Sequence, residues 1–244
     1  RIMEQIRARV AAIVKDPKTA DALKPYYPYG CKRPTFHDEY LPSFNLPNVH
    51  LVDTAPMGVQ EINSRGVVHD GVEYPVDVMI YATGFEWMGT GSFNMIQGRD
   101  GRTLKDKWEA DGTKTFLGLH SSGFPNLFIM NGPQGGGGQF NFTRVSEMHA
   151  NYITWALEMM RERDVRTIDV TQAAEDEYAK HCAAMDTLSA PLRDCFSYYN
   201  GDGKARPGSL AYYGGGQRWH ERRVAAQANM EPYLLEMNLP EASN

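Results

Sequence analysis

The run from Tyr74 to Phe85, Tyr-Pro-Val-Asp-Val-Met-Ile-Tyr-Ala-Thr-Gly-Phe, constrains this chain most. Apolar and β-branched residues with little charge describe a strand buried in a sheet. The small residues Ala82, Thr83 and Gly84 at its end let backbone approach a neighbour closely. Upstream, from Val59 to Ile80, short β-type runs are broken by the turn-forming clusters Asn63-Ser64-Arg65-Gly66 and His69-Asp70-Gly71. The pattern predicts an antiparallel meander that feeds one buried strand.

Length and composition bound the remaining choices. With 244 residues, 42% of them hydrophobic, the chain can bury a sizeable core as one large or two small domains. A net charge of -5 without a long basic run excludes electrostatic capture of nucleic acid, which needs clustered Lys and Arg. No run of about 18 apolar residues is present, so no membrane span is expected. Arg1 to Ile13 is an amphipathic, charged segment rather than a signal peptide, and a chain that opens on Arg1 within a helical pattern is expected to be a piece of something longer. The cysteines Cys31, Cys182 and Cys195 are odd in number and lack metal-like spacing. Neither a disulfide framework nor a zinc site is indicated, and a reducing, cytoplasmic setting fits best.

Ile2, Ile6, Val10 and Ile13 recur at helical spacing, and Asp16-Pro17 ends that helix. The Pro- and Tyr-rich segment from Pro25 to Gly30 is a rigid loop that delivers Cys31-Lys32-Arg33-Pro34. Val49 to Val52 is a strand candidate, and the buried run Leu127 to Met130 ends in Asn131-Gly132-Pro133-Gln134 and the four glycines Gly135 to Gly138. A long helix follows, roughly Phe142 to Arg163, with Val145, Met148, Tyr152, Trp155 and Met159 at spacings of three and four. A glycine-rich loop therefore runs into a helix N-terminus, whose unpaired N–H groups suit an anion or an electron-rich carbonyl edge. A second helix is expected over Thr171 to Met185, with a Gly- and Tyr-rich tail from Pro191 to Gly216 in which Gly214 to Gly216 form a turn.

Three constellations could carry chemistry. Lys32-Arg33, held between a rigid loop and Pro34, is either a solvated basic pair or an anion site, with Lys as a point charge and Arg as a permanently charged planar fork. His120-Ser121-Ser122-Gly123 sets a base beside nucleophiles, but the hydrolase elbow needs G-x-S-x-G, and Gly118 and Gly123 stand one residue too far apart. Gly135 to Gly138 is a flexible linker or a loop fitted around a ligand; neither G-x-G-x-x-G nor a P-loop occurs anywhere in the chain.

Three segments, Pro28 to Thr54, Asp77 to Phe85 and Gly118 to Gln134, match a known pattern in order and spacing. Together they resemble the C-terminal part of the Baeyer–Villiger monooxygenases, which use FAD and NADPH to oxidise ketones. The resemblance implies the α/β fold class and a partial, Rossmann-like flavoprotein with two dinucleotide-binding domains: residues 1-82 ending an NADPH-binding domain, residues 83-244 ending an FAD-binding domain. It implies insertion of one oxygen atom of O2 into a ketone through a peroxyflavin, giving an ester or lactone. Related flavin enzymes that oxidise nitrogen or sulfur, and a non-catalytic binding module derived from the enzyme, are the alternatives.

By the same resemblance Arg33 is the catalytic arginine, whose guanidinium stabilises anionic oxygen without donating a proton. Lys32 matches the lysine for the 2′-phosphate of NADPH. Ala82, Thr83, Gly84, Gly132, Pro133, Asn141, Phe142 and Tyr198 are expected beside the cofactors, and Gly137, Gly138, Gln139 and Phe142 to line the substrate cavity. No metal is implied. Ser197-Tyr198-Tyr199-Asn200 replaces a Ser-Trp-Tyr run of the family, and Gly135 to Gly138 replaces a Ser-Pro-containing loop. A smaller ring and a loop without side chains imply a wider cavity and bulky ketones. The dinucleotide motifs for FAD and NADPH are absent here, so the N-terminal part of the same enzyme is the expected partner, and this chain alone is expected to be inactive.

Overall fold

The computed structural model describes residues 1–29, 31–32, 35–84, 92–136, 141–185 and 211–238. The chain forms two compact units, Arg1–Phe85 and Glu86–Asn244.

In the first unit α1 spans Ile2–Ile13, and α2, Pro17–Leu23, starts where the sequence reading sees only a stop. Asp16 does both: its carboxylate accepts from the Thr19 N–H at 2.8 Å, and Pro17 at the first helical position lacks a donor that would be unpaired there anyway. Val10, Val14 and Ala20 form a small core, joined by Leu23 and by Leu41 and Phe44 at the short helix α3 (Tyr40–Ser43). The meander is present as β1 (Glu61–Ile62), β2 (Gly66–His69) and β3 (Val72–Pro75), antiparallel in the order β1-β2-β3.

The expected buried strand is not. Residues 76–84 carry no strand, and Val78 and Ile80 are 78% and 86% exposed. A doubly buried strand requires neighbours on both faces, and no described residue supplies them. Val49 to Val52 likewise forms no strand. Cys31 is disulfide-bonded, against the indication of the cysteine count.

The second unit holds the larger core. It comprises α4 (Ser92–Met95), α5 (Leu104–Asp111), α6 (Phe142–Glu162), β4 (Val165–Val170), α7 (Gln172–Met185), α8 (Gly215–Asn229) and β5 (Tyr233–Met237). The β-branched residues of β4 pair antiparallel with β5, placing Val170 opposite Tyr233 and Ile168 opposite Leu235. Helix α6 packs on β4, and the shared core includes Tyr152, Ala156, Met159, Ile168, Val170, Tyr178, Tyr212, Trp219 and Tyr233. Each of the larger side chains contributes about 1.5–3 kcal/mol by leaving water. The described sheets are antiparallel throughout. Among the described residues no helix is long and apolar enough to cross a membrane.

Two expectations change in this unit, and a further segment is helical. Leu127 to Met130 packs as extended chain without a strand assignment, tied by the Ile129 N–H to the Leu119 carbonyl at 2.8 Å. Leu104 to Trp108 is helical because Thr103 and Asp106 form a reciprocal capping box. Gly214 and Gly215 do not close an isolated turn; Gly214 caps α8 and Gly215 begins it.

Candidate functional site

The Asn131–Gly136 loop and the start of α6 are the part of the expected site that the described residues bring together. Asn131 and Gln134 adopt left-handed backbone, φ +53° and +63°, a conformation that Asn tolerates but that costs Gln energy unless its surroundings impose it. Here they do. The buried Gln134 side chain accepts from the Thr115 N–H at 2.9 Å and donates to the Thr113 carbonyl at 3.2 Å, while its own carbonyl accepts from the Tyr178 hydroxyl at 2.9 Å. At the loop's other end the Asn131 side-chain amide donates to Ser146 Oγ at 2.8 Å, and Ser146 Oγ donates to the Phe142 carbonyl at 3.0 Å. The loop is thus fastened to the first turns of α6.

Behind the loop, glycine allows contact rather than freedom. A Cβ on Gly118 would stand 1.9 Å from Gly135 Cα, and one on Gly135 would stand 2.6 Å from His149 Cε1. At Gly136 the same position meets Val145 at 3.2 Å. The missing side chains at Gly135 and Gly136 are therefore occupied from within by α6, which corrects the view that they widen a cavity. Gly137, Gly138 and Gln139, on which the rest of that reading depends, lie outside the described residues, as do Arg33 and Tyr198.

Asn141 caps α6: its Oδ1 accepts from the Thr143 N–H at 2.9 Å and the Arg144 N–H at 3.4 Å. Two of the donors that the helix-end reading assigned to a ligand are thereby engaged. Phe142 stands exposed on the first helical residue, Gly132 is half-buried and Pro133 is buried. In the first unit Lys32 is exposed, and so are Ala82, Thr83 and Gly84; at Gly84, φ is +93° and nothing lies within 4 Å of where a Cβ would be.

The serine segment is structural. Glu175 accepts from Lys107 Nζ at 2.7 Å, from Ser121 Oγ at 2.9 Å and from the Ser122 N–H at 3.0 Å, in a buried cluster joining α5 to α7. His120 turns away from it, with Nε2 2.8 Å from the Tyr152 hydroxyl, which in turn donates to the Tyr233 hydroxyl at 2.9 Å. Burial lowers the His120 pKa to about 3. So weak a base, with Nε2 on Tyr152 while Ser121 donates to Glu175, does not form the hydrolase arrangement among the described residues.

Sequence reasoning missed the supports: Thr115, Gln134, Ser146, His149 and Tyr178. His149 sits at helical spacing from Val145 and Tyr152 and could have been placed on the buried face of α6; its bond to Asn131 leaves no trace in spacing.

No family model matches the chain. It is 42% identical over 228 residues to a Baeyer-Villiger monooxygenase of Streptomyces coelicolor, covering 90% of this chain and 37% of the relative. It is 53% identical over 133 residues to a polycyclic ketone monooxygenase of Thermothelomyces thermophilus, covering 52% of this chain and 20% of that protein. The solved structure of the latter superposes with a TM-score of 0.80 at 33% identity, over 96% of this chain and 40% of that one. An oxidised steroid monooxygenase bound to NADP gives 0.80 at 29% identity, over 97% and 46%. These proteins define a class, the flavin-dependent monooxygenases. More narrowly, over the span they share, the chain is a Baeyer–Villiger monooxygenase sequence that matches the C-terminal portion of such enzymes. It spans about two-fifths of the length of the curated relatives it matches.

Proposed function

We propose that this chain is the C-terminal part of an FAD- and NADPH-dependent enzyme that inserts one atom of O2 into a ketone to give an ester or lactone. The match over 90% of the chain to a Baeyer-Villiger monooxygenase carries this reading. The strained, internally fastened loop at Asn131–Gly136, leading into the Phe142 helix start, supports it as a preformed cavity wall.

The cofactors, when bound, supply the reducing equivalents and the activation of O2. The chain's own residues bind and orient. Lys32 holds the 2′-phosphate of NADPH through its charge. Arg33 stabilises the oxyanion that develops on the substrate carbonyl, and its guanidinium stays charged throughout. Ala82, Thr83, Gly84, Gly132 and Pro133 offer backbone beside the cofactors, Asn141 keeps the start of α6 in place, and Phe142 contacts substrate. The N-terminal part of the same enzyme contributes the dinucleotide folds. A bulky ketone is the favoured substrate, in keeping with relatives named polycyclic ketone, ketocytochalasin and steroid monooxygenases.

The test uses the complete polypeptide with NADPH, 18O2 and a polycyclic ketone. The expected product is an ester or lactone carrying one labelled oxygen, and Arg33→Lys is expected to abolish it while flavin binding persists. Ester formation by that variant would remove Arg33 from its role. Oxygenation of amines or sulfides in place of ketones would favour the nitrogen- and sulfur-oxidising alternative.

A further inference from the structure

His149 is fully buried on α6, and its ring touches both ends of the loop turn. Nδ1 accepts the Asn131 N–H at 3.0 Å. With Nδ1 an acceptor, the ring proton sits on Nε2. That edge faces Gly135, where a Cβ would come within 3.1 Å of Nε2. The turn between is closed by the Gly135 N–H donating to the Gly132 carbonyl at 3.1 Å. Nε2 is buried and makes no hydrogen bond of full geometry; the Gly135 backbone lies close enough to favour its proton, and Trp219 packs on the ring at 5.4 Å between ring centres. Burial lowers the pKa to about 4, and the imidazole is neutral at physiological pH.

We propose that His149 is a positioning residue: wedged between Asn131 and Gly135, its imidazole latches the loop onto α6 and thereby sets how a ketone fits against the loop and Phe142. The functional half of this statement rests on the reading of the loop as a cavity wall. The latch itself rests on geometry. Without the acceptor at Nδ1, the Asn131 N–H loses its partner. Without the flat ring, Gly135 loses the surface it packs on.

The test compares His149→Phe, which keeps a ring but no acceptor, with His149→Asn, whose Oδ1 falls where Nδ1 lies and restores the acceptor. His149→Gln, which places its oxygen elsewhere, substitutes for the Phe variant if that does not fold. All are made in the complete polypeptide with FAD bound. In His149→Phe the amides of the Asn131 to Gly136 loop should exchange with solvent about tenfold faster or more. The KM for ketone should rise about tenfold, a larger change than that in the rate of flavin reduction by NADPH. His149→Asn should restore both. Unchanged loop exchange in the Phe variant, or equal losses in the Phe and Asn variants, would overturn the latch. Faster exchange with an unaltered KM would overturn its role in substrate fit. If the parent enzyme turns over no ketone, the proposed function fails, and loop exchange alone still decides the latch.

Discussion

Removing one member of the Lys107–Glu175 pair should open the second unit locally around α5 and α7. Both side chains are buried, and their charges lie 2.7 Å apart. Lys107 Nζ also contacts Ser121 Oγ at 3.0 Å and donates to the Ser122 carbonyl at 2.7 Å, so the pair ties α5, the Ser121–Ser122 backbone and α7 in one cluster. Truncating one partner leaves the other charge buried without its counter-charge, a loss of about 3–5 kcal/mol. For Glu175→Ala the ammonium keeps only two neutral oxygens. For Lys107→Met the carboxylate keeps donors from Ser121, Ser122 and Gln172, so its loss should fall at the lower end of that range. The assay is native-state hydrogen exchange across Leu104 to Ser122 and Gln172 to Cys182 in the complete polypeptide. Protection should fall by roughly two to nearly four orders of magnitude, since about 1.36 kcal/mol corresponds to a factor of ten. Lys107→Met/Glu175→Leu should lose less than the sum of the single variants, because no bare charge remains. Additive losses, or single losses below about 1 kcal/mol, would show that the pair is not the cluster's organising contact.

Gly118→Ala should be among the most disruptive substitutions, costing more than about 3 kcal/mol, because φ is +73° and the new methyl would meet Gly135 backbone at 1.9 Å. Gly101→Ala, at φ +78° in open space, should cost about 1–2 kcal/mol, and thermal unfolding of the two separates steric overlap from backbone conformation alone. Stability should fall as the pH drops from about 6.5 toward about 4. His149 and His120 are neutral in the fold, with pKa values lowered to about 4 and about 3, whereas the unfolded chain takes up protons below about 6.5. The stabilisation is complete above that pH and disappears as pH falls through the folded-state values, up to about 3 kcal/mol for His149. Melting curves between pH 7.5 and 4.5 should therefore show a shallower decline for His149→Phe than for the parent; equal slopes would contradict the assignment.

The sequence by itself determined the local, repeating features. The apolar spacing of α6, the meander turns and the α7 pattern are properties of neighbouring residues, and they appear at the expected places. The same short-range logic, applied to Asp16-Pro17 and to Thr103 with Asp106, would have found α2 and α5. Helix α8 and the β4–β5 pair were not legible, since α8 is largely polar and β4 finds its partner more than sixty residues later. Only the tertiary structure decided that residues 76–84 find no covering neighbours among the described residues, and that the space at Gly135 is filled by His149. Both are statements about what lies beside a residue in space. A spacing rule records which face of an element is apolar; it does not record which distant backbone N–H, such as that of Asn131, ends against that face.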